Sequence, residues 1–165
     1  MDSRPLWPTQ NDLPDKVRRD TVDLLNQQLA DALDLALQTK QAHWNIKGPN
    51  FIALHELFDE VVDEVFEHAD DLAERAVQLG GTALGTARIA AKASRLTEYR
   101  LDISSGREHV AALSAAIAKF GASARRAIDA ANALGDADTA DLFTEISRGI
   151  DKLLWKVEAQ LQAKD

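Results

Sequence analysis

The chain has 165 residues, 45% hydrophobic and 28% charged, which suits one domain with a substantial core. It has no cysteine, which excludes disulfides and thiol chemistry and fits a reducing cytosol, and its net charge of −8 opposes non-specific attraction to phosphates. We expect neither a secretory leader nor a membrane span, because the N-terminal residues lack an apolar core and no stretch approaches about 18 apolar residues.

Apolar residues recur at helical spacing and predict four long helices. The first runs from about Pro14 to Ile46 and ends at Lys47-Gly48-Pro49, which leaves residues 1–13 as an N-terminal tail. The second follows Asn50, a residue type that caps helices, and continues to the pair Gly80-Gly81.

The last two predicted helices carry clear start signals. Ser105 and Glu108 have the spacing of a capping box, and the helix they open ends near Gly135. Asp136 can cap the fourth helix, which runs almost to the C-terminus. Both start signals indicate where the chain reverses direction.

The connection lengths predict the topology. Very short turns join helices one and two, and three and four, so each pair is antiparallel. About 24 residues, from Gly80 to Ile103, separate the pairs and suit a crossover from one end of the bundle to the other. Within it, Thr86 to Ser94 can form a short extra helix. We therefore predict an all-α, ferritin-like four-helix bundle, as one domain over residues 14–165.

The second helix is densely acidic. Nine acids and a single base lie between Phe51 and Arg75. The acids are Glu56, Asp59, Glu60, Asp63, Glu64, Glu67, Asp70, Asp71 and Glu74. Like charges at this density repel along a helix unless solvent or cations offset them, so this is either a solvated face or a surface that meets cations.

Four potential metal ligands share one face of this helix. At 100° per residue, they fall within an arc of about 100°. They are His55, Asp59, Asp70 and Glu74, beside an apolar stripe of Phe51, Phe58, Val62, Phe66 and Ala69. Imidazole and carboxylate groups at such a boundary are partly dry, which favours metal over water.

The axial spacing of these ligands indicates a site shared between subunits. Asp59 and Asp70 are eleven residues apart, about 16 Å along one helix, so one metal centre cannot reach both. Two copies of the helix packed antiparallel about a two-fold axis would bring the two pairs of ligands together. No Glu-x-x-His motif is present for a site inside one bundle, which leaves the subunit interface.

The remaining histidines differ in setting. His43 points inward from the first helix, where a lone histidine is usually a hydrogen-bonded core residue, but it lies near the turn that leads to His55. We expect His68 and His109 to be surface residues.

Several segments together resemble the Dps mini-ferritins, over nearly the whole chain after about Asp20. They are Thr39–Asn45, Gly48-Pro49, Phe51, His55, Asp59, Asp70–Ala76, Gln78–Gly81, Ala83–Thr86 and Asp138–Asp141. The five ligand types match the family at every spacing. In that family the ligands lie at a dimer interface, as the helical geometry also indicates.

The resemblance implies a hollow shell of twelve subunits that binds Fe(II), oxidises it preferentially with hydrogen peroxide and stores ferric oxyhydroxide. It implies that His43, His55 and Asp59 come from one subunit, and that Asp70 and Glu74 come from its two-fold mate. Trp44 would either donate an electron to a stray oxidant or serve in packing.

Further acids have expected roles in iron handling. Asp136, Asp138 and Asp141 begin the fourth helix, where capping alone explains Asp136, but the resembling segment of the family lines three-fold pores through which iron enters. Glu56 and Glu60 are candidates for nucleating the mineral.

Three functions from different classes compete. One is a cytoplasmic ferroxidase and iron store. Another is a nucleoid protein that compacts DNA and has secondary iron chemistry. The last is a structural helical assembly with vestigial ligands. The intact ligand set argues against the last, and residues 1–20, with four bases and four acids, argue against tight DNA binding.

Overall fold

The computed structural model describes residues 5–162, whose regular structure is helical, as predicted. The helices are α1 (Asp15–Asn45), α2 (Phe51–Gln78), α3 (Ala87–Ala93), α4 (Gly106–Leu134) and α5 (Ala137–Glu158), and a 3-10 turn, Ala159–Leu161, follows. Within the described range, no helix combines the length and apolarity that crossing a bilayer requires.

The predicted helix ends are confirmed within a residue or two. Ser105 caps α4, and Glu108 completes a reciprocal capping box. Gly135 ends α4 in the left-handed conformation, at φ 84°, and the Asp136 side chain caps α5. Asn50 takes the N-cap position of α2, but its side chain makes no capping hydrogen bond.

The bundle forms from two helical pairs, α1 with α2 and α4 with α5, which pack against each other mainly through α1 with α4 and α2 with α5. Aliphatic and aromatic side chains fill the space between them. The largest fully buried ones are Phe58, Phe120, Phe143, Leu25, Leu35, Leu72, Leu79, Leu113, Ile117, Ile146, Ile150 and Leu153. This is the ferritin-like four-helix bundle that the connection lengths predict.

The crossover between α2 and α4 runs back along α1. The Asn26 side chain binds the backbone at the start of the crossover, and Gln38 Nε2 donates to Thr97 O at 3.1 Å farther along. The crossover ends beside the α1–α2 turn, where Lys47 N donates to Ser104 O at 3.0 Å. It therefore returns the chain from one end of the bundle to the other, and α3 packs on α1 on the way.

A buried carboxylate fastens the middle of the crossover. Asp31 in α1 is 1% exposed and accepts hydrogen bonds from the backbone N–H and the guanidinium of Arg95. The same guanidinium donates to Ser123 in α4 at 2.6 Å. Because a buried charge needs partners, this network fixes the crossover against both helices.

The segment before α1 is attached to the far end of α2. Trp7 N donates to Gly80 O at 2.7 Å, and Arg18 Nη1 donates to Leu79 O at 3.1 Å. A Cβ at Gly80 would lie 2.6 Å from Trp7 O, so this close approach requires glycine, as does its φ of 82°. From residue 5 onwards, the predicted tail therefore has a defined course.

Candidate metal centre

Two stacked imidazoles form the centre of the site. His43 in α1 and His55 in the second turn of α2 have ring centroids 3.6 Å apart. Each Nδ1 lies close to the backbone carbonyl of the other histidine, at 2.8 Å from His43 and 3.0 Å from His55. Because a carbonyl only accepts, each Nδ1 carries the proton, and each Nε2 keeps a lone pair for a metal.

Asp59 completes this group one turn after His55. The ligand atoms of His43, His55 and Asp59 all lie within 4.8 Å of one another, which is the only such group of three among residues 5–162. His43 is buried, as predicted, whereas His55 and Asp59 are partly exposed. Two imidazole nitrogens and a carboxylate oxygen suit a divalent transition metal.

The Asp59 carboxylate is already paired with a lysine. Lys40 Nζ, one turn before His43 in α1, forms a salt bridge with Asp59 Oδ1. The hydrogen bond from Lys40 is the main cause of a lowered pKa at Asp59, and burial opposes it. Lys40 did not enter the sequence prediction, because its contact depends on the relative rotation of α1 and α2.

Asp70 and Glu74 lie elsewhere on α2, exposed to solvent. Neither makes a hydrogen bond or an ion pair with another described residue. The subunit therefore brings together three of the five predicted ligands and leaves these two apart, as expected if they serve a site in another subunit.

Exposed apolar side chains lie on both helices that carry the ligands. On α1 these are Leu37 and Trp44, which are 53% and 65% exposed; on α2 they are Phe66 and Val77, which are 44% and 56% exposed. A groove beside Glu74 is lined by Ala73, Val77, Gln78 and Ala83. Several large apolar residues exposed on the same two helices are typical of a surface that another protein covers.

Known proteins resemble this chain in sequence and in fold. Residues 22–164 match the ferritin-like domain family. The chain is 46% identical over 156 residues to the DNA protection during starvation protein of Agrobacterium fabrum, over 94% of this chain and 96% of that one. Mycobacterium smegmatis Dps superposes with a TM-score of 0.88 at 33% identity, over 98% of this chain and 96% of that one. The chain belongs to the Dps family of ferritin-like proteins.

Another Dps of known structure, from Microbacterium arborescens in a high iron form, superposes with a TM-score of 0.84 at 29% identity. The superposition covers 96% of this chain and all of that one. The resemblance seen in the sequence is thus confirmed at the level of family and fold.

The predicted iron-entry acids of this Dps family member fall into two kinds. Asp136 is 2% exposed, caps α5 and accepts a hydrogen bond from Arg75 Nη2 at 2.9 Å. Asp138 and Asp141 are exposed in the first two turns of α5. The structure thus assigns Asp136 a capping role, and an entry role would depend on the other two.

The other predicted positions are on the surface. Glu56 and Glu60 are exposed on α2, and Glu60 forms a salt bridge with Lys156 of α5. Trp44 is exposed next to His43, where it contributes to the apolar surface described above.

The expectation that His68 and His109 lie on the surface is wrong, since they are 8% and 1% exposed. His68 is turned towards α5, where Gly149 has no side chain to exclude it. His109 faces the crossover, and its Nδ1 lies 2.6 Å from the Tyr99 hydroxyl. Burial lowers the pKa of both histidines and raises that of Tyr99.

The apolar stripe predicted for α2 is also displaced from the true core face. Phe51 and Phe66 are 38% and 44% exposed, although Phe58, Val62 and Ala69 are buried. The core face instead centres on Leu54, Val61, Val65, Leu72 and Ala76. His68 lies at the edge of that face, and this alignment is the sequence signal that would have predicted its burial.

Proposed function

We propose that this protein is a ferroxidase and iron store. It oxidises Fe(II), preferentially with hydrogen peroxide, and keeps the product as ferric oxyhydroxide inside a cage of twelve subunits. The observation that carries the proposal is the convergence of His43, His55 and Asp59 with both Nε2 atoms available. The site lies at the surface, next to apolar residues that a second subunit would cover.

The second subunit supplies the missing carboxylates. Asp70 and Glu74 are on the same helix as His55 and Asp59, but the rise of α2 separates the two pairs by about 16 Å. An isologous contact of α2 with its own copy places each pair opposite the other and forms two identical sites. The exposed Phe66, midway between the pairs, supplies apolar contact for that interface.

The ligand types suit the chemistry. Iron is the substrate, and anionic carboxylate oxygens stabilise Fe(III) more than Fe(II), which favours its oxidation. Two Fe(II) ions give two electrons to one hydrogen peroxide, which takes up two protons and leaves as two waters. No hydroxyl radical is released, because both electrons pass to the same peroxide.

The relatives named for DNA protection are consistent with two mechanisms. A protein can shield DNA by binding it, or it can consume Fe(II) and peroxide before they generate radicals. We favour the second mechanism for this chain, because its ligands are intact and its net charge is −8. We expect it to act in the cytoplasm.

The decisive experiment removes the two carboxylates proposed to come from the second subunit. Asp70→Asn combined with Glu74→Gln should leave the helices intact and slow peroxide-dependent Fe(II) oxidation at least ~100-fold, measured anaerobically by stopped flow. The matched control is Asp71→Asn, an exposed neighbour on α2 that should oxidise iron at the wild-type rate. Wild-type rates in the double variant would refute the assignment.

Mixed assemblies test whether the site is shared. His55→Ala chains and the Asp70/Glu74 double variant each lack part of every site when assembled alone. Random co-assembly in equal amounts makes half of the dimers mixed, and each mixed dimer has one intact site. Activity should therefore recover to about a quarter of wild type, whereas no recovery would indicate that all ligands belong to one chain.

Oligomer size gives a second prediction. Twelve chains of 18.1 kDa form a particle of about 217 kDa, and a subunit with ligands divided across an interface has no complete site alone. Light scattering at physiological salt should find this mass. Phe66→Glu, which places a charge in the proposed dimer contact, should shift the mass downward, whereas Glu98→Gln on the exposed crossover should not. A wild-type mass of a monomer or dimer would contradict the cage.

A further inference from the structure

An acidic pocket lies on the opposite flank of α2 from the His43 cluster, where that helix packs against α5. Five carboxylates line it: Glu60, Asp63, Glu64, Glu67 and Glu145. Two bases, Arg148 and Lys152, also border it, and Glu60 is already paired with Lys156. The pocket is separate from the His43 cluster, which faces α1.

His68 lies in this pocket without a hydrogen-bond partner. Its side chain is 8% exposed, and its Nε2 is buried with no partner among the described residues. Four carboxylates, of Glu64, Glu67, Asp71 and Glu145, interact electrostatically with the ring. A buried polar atom left unpaired carries a free-energy cost, and such an atom beside several anions is an unusual arrangement for a purely structural histidine.

The imidazole of His68 packs closely against the α5 backbone at Gly149. A methyl group added at Gly149 would lie 2.6 Å from His68 Nε2 and 3.1 Å from Glu64 Oε1. Nε2 and Oε1 thus lie beside the same point of the α5 backbone, and a side chain at position 149 would displace them. Glu64 and His68 are four residues apart, so they extend from neighbouring turns of the same face of α2.

We propose that Glu64 and His68 form a binding site for one divalent transition-metal ion per subunit, separate from the interface site. The imidazole nitrogen and the carboxylate oxygen approach the ion from α2, and Glu67 and Glu145 line the same pocket. An imidazole ligand selects Zn²⁺, Co²⁺ or Fe²⁺ over Mg²⁺ and Ca²⁺, which prefer oxygen ligands alone. The exposed acids around it attract cations towards the pocket.

The test uses Co²⁺ in a full-length background without the His43 cluster. His55→Ala with Asp59→Asn removes two ligands there, so that the outcome does not depend on the proposed ferroxidase function. Anaerobic titration should show about one Co²⁺ bound per chain with visible absorption, displaced by Zn²⁺ but not by Mg²⁺. Absence of such a site in this background would overturn the proposal.

Three substitutions locate the bound ion. His68→Gln and Glu64→Gln should each weaken Co²⁺ binding at least ~10-fold and change its absorption spectrum. Glu98→Gln, the same charge change on the exposed crossover, should leave both unchanged. The proposal would be overturned if His68→Gln bound Co²⁺ as tightly as the His55→Ala, Asp59→Asn protein does. It would also be overturned if Glu98→Gln weakened Co²⁺ binding as much as His68→Gln does. Since Glu64 is a partly exposed surface residue, its variant keeps the test valid if His68→Gln folds poorly.

Discussion

His109 makes the stability of the subunit depend on pH. Its side chain is 1% exposed, and burial lowers its pKa from the ordinary value of 6.5. The unfolded chain therefore binds a proton at a higher pH than the folded chain does. The contribution of a neutral His109 is complete above about pH 6.5 and is lost as the pH falls from that value towards the folded pKa.

We predict that His109→Gln removes this part of the acid sensitivity. Between about pH 7 and pH 5, the midpoint of thermal unfolding should fall less in the variant than in the wild type. Tyr99→Phe is the matched control, because it deletes the hydroxyl at Nδ1 but retains the buried imidazole and so should retain the pH dependence. Parallel curves for His109→Gln and wild type would show that His109 is not responsible.

At the scale of the helices, the start of α5 separates a structural role from a proposed functional one. Asp136 is buried and already has hydrogen-bond partners, since it caps the helix and accepts a hydrogen bond from Arg75. Asp138 and Asp141 are exposed, and repeated around a three-fold axis they would concentrate cations at a pore. The same short segment thus caps the helix through Asp136 and, as we propose, attracts iron through Asp138 and Asp141.

We predict that Asp138→Asn combined with Asp141→Asn slows iron uptake at low iron concentration, several-fold or more, because the cation-attracting charge at the pore is lost. The oxidation rate of Fe(II) already bound should not change. Asp136→Asn serves as the contrast, since it weakens a buried ion pair and should lower the unfolding temperature. Unchanged uptake in the double variant, followed by iron-dependent absorbance, would exclude an entry role.

The ends of the helices were predictable because short-range chemistry determines them. The signals that end or begin a helix each act within one helical turn. The structure confirms the capping box of Ser105 and Glu108, the cap at Asp136 and the turn at Gly135. The proximity of His43 to His55 also followed from the sequence, because the α1–α2 turn is short. Local patterns therefore predict two features best: the topology, and the part of the candidate site, His43 and His55, that lies beside a turn.

Contacts between distant helices were not predictable in this way. The pairing of Lys40 with Asp59 depends on how α1 is rotated against α2, and the burial of His68 depends on Gly149, 81 positions later in the chain. Phe51 and Phe66 misled the prediction for a related reason. Apolar residues that serve a subunit contact, as we propose for Phe66, have the same periodicity as residues that the core covers.

At the scale of the whole molecule, charge governs the response to DNA. Residues 1–20 hold four bases and four acids, and the remaining residues carry the net charge of −8. Within that segment, Lys16 pairs with Asp20 at 2.5 Å and Arg18 pairs with Asp15 at 2.6 Å. These bases already have partners, and the segment from residue 5 is attached to the α2 end through Trp7.

We predict weak DNA binding or none at neutral pH and near-physiological salt. The proposed cage would repeat the negative charge twelve times, and residues 1–20, with four bases and four acids, have no net positive charge to release counterions from phosphate. A gel-shift titration of plasmid measures this directly. An added N-terminal Lys-rich extension should create salt-sensitive retardation and so serves as the positive control. Tight retardation of the unmodified protein would show that DNA binding is a function of this chain.

The salt bridge between Lys40 and Asp59 has a consequence for which ions the proposed metal site can bind. An entering ion does not meet a free carboxylate, since it must displace an ammonium group already in contact with Asp59. A monovalent ion such as Na⁺ or K⁺ gives up hydration and brings no more charge than the group it replaces, so it gains little. A divalent ion brings twice the charge and can also bind the two imidazole nitrogens. If this is the iron site that we propose, Lys40 therefore favours divalent over monovalent ions at Asp59.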